Sequence, residues 1–115
     1  MTRNKLTVKK YIDGFNEGDN IKILSCLTNE VEWYMPGYFQ LSGKPAFDKE
    51  INNDNFIGLP VIRITRMVEE DNIVIAEGEV QCTMKAGGIL NALFCDVFHM
   101  EGGKIKQLTT YQMNI

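Results

Sequence analysis

The chain has 115 residues, of which 44% are hydrophobic and 23% are charged, an ordinary composition for a globular protein. Residues 1–115 are enough for one domain with a single core. The net charge of −3 and the scattered lysines and arginines argue against nucleic acid as a partner, because proteins that track phosphates carry a basic stripe. No apolar stretch approaches the roughly 20 residues needed to span a bilayer, so we expect no membrane partner.

The three cysteines, Cys26, Cys82 and Cys95, are far apart in the sequence and lie in apolar contexts. This odd number favours reduced, buried thiols in a cytoplasmic protein over a disulfide framework. His99 is the only histidine, and the chain has no Cys-x-x-Cys or His-x-x-x-His spacing. Because such spacings supply most zinc ligands in proteins, we predict no structural or catalytic metal site.

Helical periodicity dominates the N-terminal part of the chain. An apolar stripe predicts a helix over residues 4–17 that ends at Gly18, and a second, shorter stripe follows over residues 21–27. Residues 30–35 alternate between apolar and polar side chains, which predicts the first strand. A third short helix is expected to begin near Pro45, because proline is favoured in the first turn of a helix.

Strand patterns dominate after Asn55. Tight turns rich in glycine, asparagine and aspartate separate four predicted strands, which cover residues 59–69, 73–86, 89–100 and 105–113. Long consecutive strands joined by tight turns form a β-meander. Helices followed by a meander indicate an α+β fold, in which the helices pack on one face of a curved antiparallel sheet.

The strand over residues 89–98 is apolar on both faces. Leu90 and Phe94 share one face, and Leu93 and Val97 share the other. A half-solvated strand would instead alternate apolar with polar side chains. Since the helices can cover only one face of the sheet, we expect a second copy of the protein to cover the other, and hence a homodimer.

Asp96 is the most informative residue of this strand. Alternate side chains of a strand share a face, so Asp96 points the same way as Phe94 and Phe98. A charge between two phenylalanines loses water, and an ionised carboxylate tolerates that only when it is paired or protonated. Asp96 therefore has either a dedicated hydrogen-bond partner with a purely structural role or a chemical task.

Four motifs follow one another along the chain: Tyr11-Ile12-(x)5-Gly18-Asp19, Val31-Glu32-Trp33-(x)2-Pro36-Gly37, Ser42-Gly43, and Asp96-Val97-Phe98-(x)3-Gly102-Gly103-Lys104-Ile105. In this order and spacing the chain resembles the nuclear-transport-factor-2-like superfamily, especially its ketosteroid isomerase and SnoaL-like polyketide cyclase branch. The resemblance covers nearly the whole chain. It implies a cone-shaped α+β domain with about three N-terminal helices and an apolar pocket at the open end of the cone.

The resemblance also implies roles for individual residues. Steroid isomerases of this superfamily hold a substrate oxyanion with a helix tyrosine and a protonated aspartate, and these fall on Tyr11 and Asp96. Their catalytic base falls on Met35, which cannot accept a proton, so a steroid isomerase of the usual mechanism is not expected. SnoaL-like cyclases use a single aspartate to move protons, a role that Asp96 could fill with Tyr11 as the oxyanion donor.

The same resemblance predicts an apolar wall for a small apolar or aromatic molecule, formed by Trp33, Met35, Phe94 and Phe98. Plain core packing is the alternative for each of these side chains, and for Tyr11. No cofactor is implied. Three functions stay open: an isomerase or cyclase, a non-catalytic binder favoured by Met35 at the position of the base, and a dimeric interaction domain.

Overall fold

The computed structural model describes all residues, 1–115, as three helices and one six-stranded sheet. The elements are α1 (Arg3–Glu17), α2 (Asn20–Ser25), β1 (Leu27–Met35), β2 (Phe39–Ser42), α3 (Lys44–Ile51), β3 (Phe56–Glu70), β4 (Ile73–Met84), β5 (Ile89–Glu101) and β6 (Lys104–Asn114). The predicted α+β class, with three helices ahead of a meander, is confirmed.

The predicted helix ends coincide with capping residues. The Thr2 hydroxyl accepts a hydrogen bond from the Lys5 backbone N–H at the start of α1. Gly18 ends α1 with a φ of 69°, a left-handed conformation that glycine adopts without a Cβ clash. The Asp19 side chain then accepts from the Lys22 backbone N–H and caps α2. Local chemistry therefore sets where the N-terminal helices begin and end.

The sheet has the strand order β2-β1-β6-β5-β4-β3. Strands β3 to β6 form the predicted antiparallel meander, but β1 pairs with β6 in parallel, so the sheet is mixed rather than wholly antiparallel. The short strand β2, which pairs with β1, was not predicted. The parallel pairing joins the first and last long strands of the chain, and such a non-local contact leaves no local sequence pattern.

The core lies between the helices and the inner face of the sheet, which is the face that the helices cover. Asn16 of α1 helps to fix this arrangement. Its Nδ2 donates to the Ile62 carbonyl at 2.9 Å, and its Oδ1 accepts from the Ile62 N–H at 2.7 Å. Gly78 allows close packing of the sheet, because a Cβ there would lie 2.4 Å from the Arg63 carbonyl oxygen and 2.7 Å from the Phe94 ring.

The outer face of the sheet, opposite the helices, carries exposed apolar side chains. Leu93 and Met113 are cross-strand partners that are 45% and 70% exposed, and Tyr111 beside them is 54% exposed. The apolar character of both faces of β5, expected from the sequence, is thus present in the structure. No helix of the protein is long and apolar enough to cross a membrane.

Candidate functional site

A cavity of about 910 Å³ lies at one end of the inner face and opens to solvent. Helices α1 and α3, the β1–β2 hairpin and the meander all contribute to its walls, which are mostly apolar. Representative wall residues are Phe15, Met35, Phe39, Ile51, Leu59 and Phe94. Ligand sites in proteins are commonly concave, apolar and of this size, with a few polar groups for orientation.

One strip of polar groups in the cavity lies on β5 and β6, and we call it the polar strip. Thr110, Gln112 and Asn114 alternate along β6 and share its inner face, and Asp96 of β5 lies directly across from Thr110 in the strand register. Lys85 also lines the cavity. A ligand here would contact the polar strip, the apolar walls, and a second set of polar side chains outside β5 and β6: Glu50, Asn53, Asn55 and Thr83.

Asp96 is buried and yet belongs to the cavity wall. Its residue is 6% exposed, and its Oδ1 atom has no hydrogen-bond partner. Burial raises the pKa of Asp96 to about 7, and side-chain hydrogen bonding to Thr110 partly opposes this. A carboxyl group with a pKa near 7 populates both its acid and its base form at neutral pH, which is the property required of a proton-transfer group.

Trp33 connects to this polar strip through its indole. The Trp33 Nε1–H donates to Thr110 Oγ1 at 3.0 Å. The indole stacks on Phe47, with ring centroids 4.5 Å apart, and meets Phe39 edge-to-face at 5.0 Å. Aromatic contacts on two sides therefore hold the indole in the orientation that this hydrogen bond needs.

Tyr11 occupies a different environment from Asp96. It is 2% exposed, belongs to the core and does not line the cavity. Its ring meets Phe15, Phe47 and Phe98 edge-to-face at centroid distances of 5.1, 6.2 and 5.5 Å. Burial first, and then the charge of Asp96, raise the pKa of Tyr11 well above its usual value, so its hydroxyl stays protonated at neutral pH.

The four residues predicted to bind a ligand are divided in the same way. Trp33, Met35 and Phe94 line the cavity. Phe98 is fully buried in the core beside Tyr11 and does not reach the cavity. The structure thus brings Asp96 together with three of the predicted wall residues, and places Tyr11 and Phe98 beneath them.

Met35 lines the cavity at the position where the resemblance placed a base. The other carboxylate on the cavity wall is Glu50 of α3, which accepts a hydrogen bond from Asn53 Nδ2 at 2.8 Å. The chain has no group of three or more histidine, cysteine, aspartate or glutamate side chains placed to hold a metal ion. Burial raises the pKa of the Cys82 thiol on the cavity wall, which disfavours the thiolate form.

Sequence reasoning missed Thr110, Gln112, Glu50 and Lys85 as cavity residues. Strand parity could have found the first two, because Leu108 is a core residue of β6 and residues two and four positions further share its face. Glu50 and Lys85 have no comparable signal, since their positions depend on how α3 and the β4–β5 turn are placed around the cavity.

Comparisons with known proteins agree with this architecture. The chain resembles a putative polyketide cyclase from Xanthomonas campestris with 23% identity and a TM-score of 0.86, over 95% of this chain and 89% of that one. An LEH-like epoxide hydrolase from M. tuberculosis matches with 14% identity and a TM-score of 0.85, over 96% and 83%. An NTF2-like protein of unknown function from Burkholderia pseudomallei matches with 20% identity and a TM-score of 0.84, over 96% and 90%.

At these identities the structural likeness establishes the fold alone. No curated protein matches the sequence. The model of the SnoaL-like domain family, however, matches residues 8–108, which is most of the chain. This protein therefore belongs to the SnoaL-like domain family.

Proposed function

We propose that the protein is a cofactor-independent enzyme of the isomerase or cyclase type, which moves a proton on a small, mostly apolar carbonyl compound. The observation that carries this proposal is Asp96, a buried carboxyl group on the wall of an apolar cavity, with a pKa of about 7. Titratable groups poised near neutral pH in a cleft are typical of catalytic sites. The similarity to a putative polyketide cyclase supports the same class of reaction.

In the proposed reaction the ionised Asp96 takes a proton from the carbon next to the substrate carbonyl. The electron pair of the broken C–H bond moves into the new C=C bond, and the carbonyl oxygen becomes an enolate oxygen. The protonated Asp96 then returns the proton to another carbon, or to the oxygen formed in an aldol closure. General acid–base catalysis of this kind contributes about 100- to 10,000-fold in rate.

The predicted role of Tyr11 as donor to the enolate oxygen requires the substrate to reach below the cavity surface, because Tyr11 does not line the cavity. Its hydroxyl is protonated at neutral pH, and the electrostatic influence of Asp96 on its pKa indicates that the two groups are close. Because Tyr11 lies below the cavity surface, its contribution is expected to be smaller than that of Asp96.

Proton exchange on a simple ketone tests this proposal before the natural substrate is known. We expect the protein to accelerate deuterium incorporation next to the carbonyl of 2-tetralone in D₂O, as followed by NMR. Asp96→Asn should remove about 100- to 10,000-fold of that acceleration, with a thermal melting point no lower than that of the wild type. Glu50→Gln, a change at the second carboxylate of the wall, is the matched control and should retain most of the activity. Unchanged exchange in Asp96→Asn would exclude the proposed mechanism.

A non-catalytic binder is the second candidate function. The observation that favours it is Met35, which lines the cavity where a base would be needed. A binder would take up 2-tetralone or a similar aromatic ketone without accelerating exchange, and binding would survive Asp96→Ala. Wild-type binding without wild-type exchange is therefore the result that separates the two functions.

We also propose that the outer face pairs two copies of the protein as a homodimer. Leu93, Tyr111 and Met113 form an exposed apolar surface there, and contiguous apolar patches commonly mark interaction sites. Light scattering at micromolar concentration should give twice the monomer mass, and Leu93→Arg should halve it. A wild-type monomer would contradict this proposal. It would also exclude the third candidate function, a dimeric interaction domain.

A further inference from the structure

Trp33, Thr110 and Asp96 form a line across three neighbouring strands of the sheet. They lie on β1, β6 and β5, which are adjacent in the strand order, and all three line the cavity. The first link is the 3.0 Å hydrogen bond from Trp33 Nε1 to Thr110 Oγ1. The second joins Thr110 to Asp96, which lie directly opposite each other on neighbouring strands, where side chains are close enough to interact; the Thr110 hydroxyl correspondingly lowers the Asp96 pKa.

Donor and acceptor chemistry gives this line a direction. An indole N–H can only donate, whereas a threonine hydroxyl has one proton and two acceptor lone pairs. Once Thr110 Oγ1 accepts from Trp33, its own proton is directed away from the indole. A carboxylate is an acceptor, so we infer that the hydroxyl proton is donated to Asp96, the cross-strand partner of Thr110. Thr110 is itself buried, which leaves little water to compete for that proton.

We propose that Trp33 and Thr110 act as positioning residues, forming a hydrogen-bond relay that orients the Asp96 carboxyl group and stabilises its ionised form. The aromatic contacts of Trp33 with Phe39 and Phe47 make the Trp33 end of the relay rigid. At the Asp96 end of the relay, the Oδ1 atom has no hydrogen-bond partner. The relay therefore holds the carboxyl group while leaving it hydrogen-bonding capacity that the protein does not use.

Few other groups act on the titration of Asp96. From α1, the titratable Tyr11 faces it. From β4 its cross-strand partner is Ala76, which carries no charge. The charged residues of the cavity wall, Glu50 on α3 and Lys85 in the β4–β5 turn, are not among the causes that set the Asp96 pKa. Burial and the Thr110 hydroxyl are the two causes that do.

The catalytic meaning of the relay rests on the proposed function, but the relay itself can be measured without any substrate. The experiment is an NMR titration of the Asp96 side-chain carboxyl carbon in protein labelled with ¹³C-aspartate. Thr110→Val keeps the shape of the side chain and removes the hydroxyl. Since a hydrogen bond to a charged group is lost, the midpoint of the Asp96 titration should rise by roughly one pH unit.

Three further variants separate a relay from a general disturbance of the site. Thr110→Ser restores the hydroxyl and should bring the midpoint back towards the wild type. Trp33→Phe keeps an aromatic ring without the N–H and should raise the midpoint by less than Thr110→Val does, because it weakens the Thr110 bond rather than removing it. Thr109→Val makes the same change at the next residue of β6, whose side chain points to the outer face, and should leave the midpoint unchanged.

The double variant Trp33→Phe/Thr110→Val is the decisive case. In a relay, Trp33 acts only through Thr110, so the double variant should titrate like Thr110→Val alone. Additive shifts, an unchanged midpoint in Thr110→Val, or failure of Thr110→Ser to restore it would each overturn the relay. Should Thr110→Val fail to fold, Trp33→Phe leaves Thr110 in place, and an unchanged midpoint there would equally reject the proposal.

These outcomes are distinct from a failure of the proposed function. If Asp96→Asn retained the exchange activity while Thr110→Val still shifted the Asp96 titration, the proton-transfer role would be wrong and the relay would stand. If Asp96→Asn lost the activity while the Thr110 and Trp33 variants kept the wild-type midpoint of the Asp96 titration, the relay would be wrong and the proton-transfer role would stand.

Discussion

The two ends of the inner face differ in what covers them, and strand β5 passes through both. At one end, which we call the closed half, Phe98 is fully buried against Tyr11. At the other end, the open half, Phe94 lines the cavity. Asp96 lies between these two phenylalanines on the same face, at the boundary of the halves. One strand thus supplies core packing at one end and a functional wall at the other.

This contrast shows how a small domain can accommodate a buried carboxyl group that lowers its free energy of unfolding. The closed half contains the continuous core, which includes Val8, Ile23, Phe47, Val74, Phe98 and Leu108. The open half borders the cavity and accommodates Asp96 with an unpartnered oxygen. Stability is therefore concentrated in the closed half, whereas the open half holds groups that oppose folding and favour chemistry.

The largest expected effect comes from truncating the closed half. Phe98→Ala should lower the free energy of unfolding by about 3–5 kcal/mol, the usual cost for a fully buried phenylalanine. Phe94→Ala, the matched change in the open half, should cost clearly less, because its ring already borders a cavity. Urea denaturation of both variants measures the difference, and equal losses would break the distinction between the halves.

The pH dependence of stability should reveal the cost of Asp96. An unfolded aspartate titrates near 3.8, whereas burial raises the pKa of the folded Asp96 to about 7. Between these values the folded state keeps a proton that the unfolded state has lost, so this group lowers the unfolding free energy as the pH rises. Asp96→Asn should therefore gain about 3 kcal/mol relative to the wild type between pH 5 and pH 8.

Denaturation curves of both proteins at the two pH values check this result. A constant difference between wild type and Asp96→Asn would mean that Asp96 titrates alike in both states. In that case the burial of Asp96 in the open half would not lower the free energy of unfolding as the pH rises.

Asn16 of α1 anchors the helix to strand β3 near the boundary between the two halves. Its side chain makes two hydrogen bonds to the backbone of Ile62, next to Phe15 on the cavity wall. Asn16→Ala should lower the free energy of unfolding by about 1–3 kcal/mol, because a partly buried backbone N–H and C=O lose their partner. Hydrogen exchange should show the loss at the Ile62 amide; full protection there would argue against this anchoring role.

The smallest expected effect is that of Tyr11→Phe. The ring contacts of the closed half are kept and only the hydroxyl is lost, so the unfolding free energy should change by less than about 1 kcal/mol. The rate of 2-tetralone exchange should fall, but by less than in Asp96→Asn. An unchanged rate would assign Tyr11 to core packing alone.

Much of the fold was predictable because its signals are local. The capping residues Thr2 and Asp19 and the helix-ending Gly18 lie beside the elements they limit, and the alternation of the meander strands repeats over long segments. The parallel pairing of β1 with β6 and the short strand β2 were missed. Both depend on contacts between distant parts of the chain.

The site was predictable to a smaller extent. A carboxylate within an apolar strand is a strong anomaly, and Asp96 could be singled out on that ground alone. Parity placed Phe94 and Phe98 on its face, but parity cannot show where the covering helices stop. For that reason Phe98 and Tyr11, predicted as site residues, lie in the closed half, and Thr110 was overlooked although it is the cross-strand partner of Asp96.

The most direct test of the account is the pH profile of proton exchange on 2-tetralone in the wild type and in Asp96→Asn. If the buried carboxyl group is the proton-transfer group, the wild-type rate should rise with pH and level off above a midpoint near its pKa of about 7. This profile should vanish in Asp96→Asn. Superimposable profiles for the two proteins would contradict the central role of Asp96.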